Sequence, residues 1–161
     1  MTTHIMAMTY KPKIEAVFNG ECGQTIRKYN PFNIKQSGDK LIVHTWEGKP
    51  YRSKWGKRLE TEIAEVKSLR LYWQWKKDEE KPGHYMWDFS GCVWHRLDED
   101  DLRILAERDH IAKNEGQKTP VGWTNLMLVL AQLNGGSLAN SEWDVIRWVT
   151  QSKQLNDMEV K

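Results

Sequence analysis

The sequence has few cysteines and no long apolar run. Its two cysteines, Cys22 and Cys92, are too few for a disulfide framework, and we interpret them as reduced thiols of an intracellular protein. No apolar run approaches the roughly 20 residues that a membrane-spanning helix needs. The first residues also lack the basic segment followed by an apolar segment that marks a secretory signal. These absences predict a cytoplasmic protein without a membrane partner.

The spacings typical of common metal and nucleotide sites are absent as well. The two cysteines are far apart in the chain, and the five histidines show neither HxxxH nor HxH spacing. We therefore expect no metal and no cofactor. The sequence contains no P-loop, no GxGxxG motif and no serine nucleophile elbow. These patterns argue against a zinc protein, a P-loop nucleotide hydrolase, a dinucleotide-dependent enzyme and a serine hydrolase.

The chain is long enough for one domain with a single core. It has 161 residues, of which 39% are hydrophobic. A mean hydropathy of −0.73 indicates a strongly polar surface. We predict a single domain over residues 1–150, followed by a flexible tail over residues 151–161. The net charge of +2 is too close to neutral to indicate a partner by itself.

The local distribution of charge is more informative than the total. The segment from Lys49 to Arg58, KPYRSKWGKR, has five basic residues and no acid. Because it also carries Tyr51 and Trp55, it combines the groups that contact phosphate with the groups that stack on bases. The alternative interpretation is a solvated basic loop.

Tryptophan is unusually frequent, with nine copies in the chain. We expect most of these rings to fill the core, because tryptophan buries a large apolar area. The ones assigned to the core are Trp73, Trp87, Trp94 and Trp148. By contrast, Trp46 and Trp55 lie beside turns and basic residues, which favours exposed rings that stack on a ligand.

Hydrophobic periodicity predicts a mixed chain of helices and strands. Apolar residues at helical spacing predict helices near residues 12–19, 98–109 and 122–133. Strand-like alternation predicts strands at 24–28, 41–46, 69–75 and 84–97, the last one interrupted at Ser90-Gly91, and a charged turn at 76–83. The pattern leaves 59–68 and 142–149 open between helix and strand. Asp98 is placed to cap its helix, with further acidic residues near the positive helix end.

A run of residues near the N-terminus resembles the entry motif of ASCH domains. These domains typically read G-x-K-T-x-T-I-R, followed after a gap by G-D-x-L. Here GECGQTIR spans 20–27, and Gly38, Asp39 and Leu41 follow. The segment TWEGKPYRSK at 45–54 is similar to part of the small stand-alone ASCH proteins, many of them encoded by phages.

Later segments extend the resemblance over about residues 5–150. LAERDHI at 105–111 is similar to a helix end of the family, and GWTNLMLVLAQLNG at 122–135 is similar to the helix after it. WDVIRW at 143–148 resembles the closing strand, which favours a strand for 142–149. The resemblance implies an α+β fold of the PUA-like type, a mixed β-barrel of five or six strands with helices packed against it.

The resemblance also implies a cleft that holds RNA or a modified base. Thr25 and Arg27 alternate along one predicted strand, so both side chains face the same side. A guanidinium holds a phosphate or a base edge with two parallel hydrogen bonds. The alternative for Arg27 is a structural ion pair with Asp39 or Asp109. The residues that we predict to bind nucleic acid are Arg27, Thr25, Trp46, Tyr51, Arg52, Lys54, Trp55 and Lys57.

Some ASCH proteins are amidohydrolases that act on acetylated cytidine with a lysine, a threonine and a glutamate. Alignment through the shared motif keeps Thr25, puts Cys22 at the lysine position and puts Asp109 at the carboxylate position. A thiol cannot replace an ammonium as an electrostatic clamp, so we expect no catalysis by the family mechanism. Gly23 also departs from the family, which often has threonine there.

Three functions follow from these patterns. The leading prediction is a non-enzymatic module that binds RNA, other single-stranded nucleic acid or a nucleotide. The second is a hydrolase, an amidohydrolase or a ribonuclease, with Thr25, Asp109 and Lys54 as its catalytic set. The third is a phage-encoded factor that contacts a protein partner through the Trp-rich hairpin, to which the acidic cluster of Asp98 to Asp101 would contribute.

Overall fold

The structure is a computed structural model that describes residues 1–74, 83–90, 93–110, 130–135 and 140–150. The chain has an α+β fold in which a seven-stranded mixed sheet is accompanied by short helices. The described residues form two compact units. The first contains Met1–Thr25, Lys35–Val66 and the residues from Ile146 on, and the second contains Ile26–Ile34 and Lys67–Val145.

Seven strands and two complete helices follow one another along the chain. In order they are β1 Thr3–Ala7, α1 Lys11–Phe18, β2 Gln24–Lys28, β3 Lys40–Trp46, β4 Trp55–Gln74, β5 Gly83–Ser90, β6 Val93–Arg96, α2 Glu99–Arg108 and β7 Ser141–Trp148. Residues 130–133 are the described end of a further helix. The long strand β4 passes from the first unit into the second at residue 67.

The sheet is open, which corrects the predicted barrel. The main strand order is β1-β3-β4-β5-β6, and β7 pairs with both β2 and β4. β1 pairs in parallel with β3, whereas β3 and β4 pair in antiparallel fashion. A barrel requires its first and last strands to pair with each other. Among the described residues β1 pairs with β3 and β6 with β5, so the sheet does not close.

The core of the first unit lies between α1 and one face of the strands. Pro12 lies in the first turn of α1, where a missing N–H has no cost, and Gly20 follows the helix with a φ of +78°. The apolar face of α1 packs against side chains from β1, β3, β4 and β7. The buried members of this core are Met6, Met8, Ala16, Val17, Cys22, Leu41, Val43, Ile63, Ile146 and Trp148.

The second unit contains α2, whose start follows the predicted cap. The Asp98 carboxylate accepts the backbone N–H of Asp101 at 2.9 Å, and the Asp101 carboxylate accepts the backbone N–H of Asp98 at 3.2 Å. This reciprocal capping box satisfies two helix donors that would otherwise lack partners. Buried apolar side chains of this unit are Ile26, Leu69, Leu71, Leu102, Leu105, Ala106, Leu130, Trp143 and Val145.

Most predicted elements within the described residues are confirmed. They are the helices near 12–19 and 98–109, the strands at 24–28 and 41–46, and the interruption between β5 and β6. Two segments had been left undecided between helix and strand, and both are strands. Residues 142–148 belong to β7, and residues 59–68 belong to β4, which also contains the predicted strand at 69–75 as far as Gln74. Strand β1 was not predicted, which raises the number of strands to seven.

Other predictions fall outside the described residues. They are the turn at 76–83 up to residue 82, the helix at 122–133 up to residue 129, and the tail at 151–161. Within the described part of the chain, no helix is long and apolar enough to cross a membrane.

Candidate nucleic-acid interface

A β-bulge lies where β3 and β4 approach their connecting loop. His44 pairs with Arg58 and Trp46 pairs with Trp55, so β4 carries one residue more than β3 between these pairs. The backbone N–H of Lys57 donates to Thr45 Oγ1 at 2.9 Å. A Cβ at Gly56 would lie 2.8 Å from that same oxygen, so the bulge needs a glycine there. An extra residue of this kind re-aims the side chains that follow it.

The bulge gathers aromatic side chains on one face of the hairpin. Without it, Trp55 would share a face with Lys57, because side chains alternate along a strand. With it, Trp55 and Arg58 share the face of His44 and Trp46. The His44 ring stacks on Trp55 with centroids 4.2 Å apart and an interplanar angle of 18°. We call the four rings of His44, Trp46, Tyr51 and Trp55 the aromatic face.

The rings of the aromatic face form a continuous series. Trp46 lies edge-on to His44 at 4.8 Å, and Tyr51 lies 5.3 Å from Trp46. The Arg58 guanidinium lies 5.7 Å from the Trp55 ring, within cation–π distance. His44 is only 3% exposed, whereas Trp55 is 37% and Tyr51 87% exposed. The series is therefore anchored in the interior and open to solvent at two rings.

The loop that follows Trp46 is ordered by a serine. Ser53 Oγ accepts the backbone N–H of Gly48 at 3.0 Å and donates to the carbonyl of Lys49 at 3.0 Å. The backbone N–H of Glu47 donates to the carbonyl of Lys54 at 3.1 Å. These bonds join the two sides of the loop and hold its base in place.

Tyr51 occupies a position that normally requires glycine. The backbone N–H of Arg52 donates to the carbonyl of Lys49 at 3.2 Å, which closes a turn with Pro50 and Tyr51 in the middle. Tyr51 has a φ of +60°. Proline followed by a residue with positive φ is the pattern of a type II turn, in which glycine or asparagine is usual. The left-handed conformation costs roughly 1–2 kcal/mol for such a residue, and strain of this kind concentrates at functional sites.

The basic residues of the hairpin differ in whether they form ion pairs. Lys49, Arg52 and Lys54 lie exposed in the loop and form no ion pair with any described residue. We call them the loop cations. Arg58 is paired with Glu60, which also binds Lys40 at 2.6 Å. The hydrogen bond and charge of Lys40, followed by the charge of Arg58, hold the pKa of Glu60 below its usual value.

Lys57 differs from the loop cations in its placement. It lies with Thr45 on the other face of the hairpin, and its Nζ is 5.9 Å from the centroid of the Phe18 ring. Of the predicted binding residues, the structure thus brings together Trp46, Tyr51 and Trp55 with Arg52 and Lys54, and it places Lys57 on the opposite face.

Trp46 contains a polar atom without a partner among the described residues. Its Nε1 is buried and forms no hydrogen bond with any of them. A buried donor of this kind costs on the order of 1–3 kcal/mol relative to a paired one. The indole lies between the buried His44 and the exposed Tyr51, at the centre of the aromatic face.

The remaining predicted residues lie in different parts of the chain. Thr25 is buried in β2 within the first unit, and Lys54 is exposed in the loop of the hairpin. Arg27, partly buried, and Asp109, buried at the end of α2, belong to the second unit. Asp39, considered above as a partner for Arg27, instead accepts hydrogen bonds from Thr2, His4 and Gln36.

The residues at the departures from the ASCH motif have structural roles. Cys22 is 1% exposed, and its Sγ donates to the carbonyl of Gln24 at 3.4 Å. A Cβ at Gly23 would lie 2.8 Å from the carbonyl oxygen of Trp148, because the Trp148 N–H donates to the Gly23 carbonyl at 2.9 Å. Close pairing with β7 therefore excludes any side chain at Gly23.

The tryptophans that were assigned to the core differ in their burial. Trp148 is buried in the first unit, as predicted. Trp94 is only partly buried, and the Arg70 guanidinium lies 4.4 Å from its ring. The structure does not describe the side chains of Trp73 and Trp87, nor much of the Trp-rich hairpin. Among the residues that are described, no three histidine, cysteine or acidic side chains are grouped to hold a metal ion.

No protein-family model, no curated protein and no solved structure matches the chain. The resemblance to ASCH domains accordingly rests on the motifs of the sequence. The arrangement of the hairpin can be interpreted without it, from the rings and charges alone.

Proposed function

We propose that the protein binds single-stranded nucleic acid on the aromatic face and the adjacent loop cations. The observation that supports this most directly is the junction of two exposed rings, Trp55 and Tyr51, with three cations that have no ion-pair partner among the described residues. Proteins that bind single strands combine these two elements, rings that stack on bases and charges that follow the phosphates.

The geometry favours single strands over duplexes. Stacking on Trp55 or Tyr51 requires the face of a base, and in a duplex those faces are covered by neighbouring bases. An unpaired base presents its face freely, and every base has one. The hairpin therefore suits binding with little sequence preference. RNA is the strand that the ASCH resemblance favours.

The pairing of charges supports the same function. Arg58 is neutralised by Glu60, but it lies against Trp55 and orients that ring. The loop cations form no ion pair with any described residue, so their charges are available to phosphates. A planar ring held by its neighbours loses little entropy when a base stacks on it, which improves the net binding energy.

A binding assay tests the proposal directly. Fluorescence anisotropy of labelled oligouridine at low salt should show binding, whereas a duplex of equal length should bind more weakly. Trp55→Ala should weaken binding by roughly 1–3 kcal/mol, the typical contribution of one stacked base. The matched control is Phe32→Ala, which removes an aromatic ring that is even more exposed than Trp55 but lies in the β2–β3 connection.

The affinities of the two variants and of the two nucleic acids decide whether the proposal holds. Loss of affinity in Trp55→Ala with retained affinity in Phe32→Ala supports the proposal. Equal losses in both variants, or tighter binding of the duplex than of the single strand, would contradict it. Because Trp55 also packs on His44, far-ultraviolet circular dichroism must show that Trp55→Ala remains folded.

A further inference from the structure

We propose that Tyr51 and Trp46 form a clamp for one unpaired nucleobase, which stacks on the face of the Tyr51 ring and meets the edge of Trp46, where the indole N–H donates a hydrogen bond to the base. This inference rests on the proposed function and adds to it a specific subsite. It assigns to Trp46 a role in recognising an acceptor atom, and to Tyr51 a role in covering the base.

The first observation behind the clamp is the unpaired donor. Trp46 Nε1 is buried without a hydrogen-bond partner in the part of the chain that the structure describes, although its ring is next to the exposed Tyr51. Buried donors in folded proteins are almost always paired. Every nucleobase carries ring nitrogens or carbonyl oxygens that accept hydrogen bonds. A base beside Trp46 would supply the acceptor that the described residues do not provide.

The second observation is independent of the first and concerns the backbone. Tyr51 is held at a φ of +60° in a turn where glycine would be unstrained. Its ring is 87% exposed, so burial of the side chain does not explain why tyrosine is present. An exposed aromatic ring at this position would have a function if it contacted a ligand.

The distance between the two rings shows what must change on binding. Their centroids are 5.3 Å apart, with an interplanar angle of 53°. A base that stacks on Tyr51 at roughly 3.5 Å must also reach Trp46 Nε1 in the plane of the indole, and that atom is buried while the two rings stay in contact. The tip of the loop must therefore move outward, which also releases the strained φ of Tyr51.

The hydrogen bonds of the loop restrict this movement to its tip. Ser53 fixes Gly48 and Lys49, whereas one backbone bond, from the Arg52 N–H to the Lys49 carbonyl, closes the turn around Tyr51. Opening that turn would move Tyr51 while Trp46 stays on His44. The ligand class is thus an unpaired base in a strand, with its flanking phosphates on the loop cations.

Nuclear magnetic resonance of the indole groups tests the hydrogen bond. In protein labelled with ¹⁵N-tryptophan, the Trp46 indole signal is the one that disappears in Trp46→Phe. Addition of oligouridine should shift this signal strongly. The Trp148 indole N–H is also buried and has no partner among the described residues, so its signal is the internal control and should stay in place. An abasic oligonucleotide of equal length, which has the phosphates but no bases, should leave the Trp46 signal in place.

Substitutions test the two rings separately. Trp46→Phe keeps a ring but removes the donor, and should weaken oligouridine binding roughly 2- to 12-fold, the worth of one hydrogen bond. Tyr51→Gly removes the ring and relieves the backbone, and should weaken binding roughly 5- to 150-fold. Its midpoint of urea unfolding should nevertheless be no lower than that of the wild type. Tyr51→Phe should recover most of the affinity lost in Tyr51→Gly.

A matched variant controls for the relief of strain. His110, in the second unit, is the other described non-glycine residue with positive φ, at +54°. His110→Gly removes the same kind of strain and should leave oligouridine binding unchanged.

The results distinguish the clamp from the proposed function on which it rests. If oligouridine binds but the Trp46 indole signal does not move, the clamp is wrong and the proposed function stands. If the abasic strand shifts the Trp46 signal as strongly as oligouridine, the acceptor is a phosphate and the clamp is wrong. If no oligonucleotide binds at low salt, both proposals fall.

Discussion

His4 Nε2 lies 2.9 Å from Asp39 Oδ2, and both side chains are buried. The same carboxylate accepts the backbone N–H of Thr2 at 2.7 Å and that of Gln36 at 3.2 Å. One aspartate therefore fixes the start of β1 beside the turn that leads into β3. The hydrogen bond from Thr2, followed by that from His4, holds the pKa of Asp39 below its ordinary value of 3.8.

This arrangement predicts a pH-dependent loss of stability in Asp39→Asn. A lowered folded-state pKa means that the ionised carboxylate stabilises the fold above pH ~4. The stabilisation is lost as the pH falls through the lowered folded-state pKa. Asp39→Asn should therefore reduce the urea midpoint at pH 7, and its difference from the wild type should shrink at about pH 3 and below.

The matched control for Asp39 is Glu21→Gln. Glu21 is an exposed carboxylate of the same unit and forms no ion pair with described residues. Its substitution should leave the midpoint at pH 7 nearly unchanged. A difference between Asp39→Asn and the wild type that stays constant from pH 7 to pH 3 would refute the electrostatic explanation.

The salt dependence of binding should reflect the number of phosphates that the loop cations contact. Three phosphate contacts on a single strand predict a slope of about −2 for log affinity against log salt, at about −0.7 per contact. Arg52→Ala with Lys54→Ala should flatten this slope to about −0.7. Titrations between 50 and 300 mM salt by anisotropy measure it.

A double variant of equal charge controls for net charge. Lys11→Ala with Lys40→Ala removes two lysines of the first unit that lie outside the loop. It should keep the wild-type slope. The same flattening in both double variants would show that total charge, and not the loop, sets the salt dependence.

The bulge predicts different effects at two glycines of one hairpin. At Gly56 a Cβ would lie 2.8 Å from Thr45 Oγ1, whereas at Gly48 the nearest atom is Ser53 Cβ at an ordinary 3.5 Å. Gly56→Ala should lower the free energy of unfolding by roughly 1–3 kcal/mol, the usual cost of overpacking. Gly48→Ala should change it by less than about 0.5 kcal/mol. Urea denaturation measures both, and similar values for the two would argue against the bulge geometry.

Cys22 yields a prediction about catalysis and stability together. Because Cys22 is buried in the core of the first unit, Cys22→Lys places an ammonium among apolar side chains. We expect a loss of stability on the order of 3 kcal/mol or more, with a much smaller loss in Cys22→Ala. Without the lysine, the wild type should release little acetate from acetylated cytidine, since one missing oxyanion donor costs about 10²- to 10³-fold in rate.

An acetate-release assay and thermal unfolding test these expectations. A stable Cys22→Lys protein would contradict the burial argument. Robust wild-type turnover that is lost in both Thr25→Ala and Asp109→Asn would instead favour the hydrolase.

Elements that are determined by residues close together in sequence could be predicted. Elements that depend on contacts between residues far apart in sequence could not. Helix α2 was predictable because its capping box lies within four residues. Strand β1 was not recognised, although Met6 and Met8 alternate with exposed residues, because the buried position before them is His4. The partner of that histidine is Asp39, which lies far away in sequence.

The same distinction applies to β4 and to the site. Glu60 and Glu62 gave residues 59–68 a helical composition, but both lie on the exposed side of a strand whose inner side carries Ile63. The rings and cations of the hairpin were visible as residue types. The bulge was not, because Gly56 and Thr45 become neighbours only after β3 and β4 pair. His44 was therefore missed as part of the aromatic face.

The stack of His44 on Trp55 has a magnetic consequence. An aromatic ring current shields protons that lie above its plane, and the imidazole is stacked over the indole at 4.2 Å. The ring protons of His44 should therefore resonate at unusually high field in a proton spectrum. Loss of the bulge, or movement of Trp55 away from His44, would return them to ordinary positions. The hairpin thus carries a built-in spectroscopic marker of its own folding.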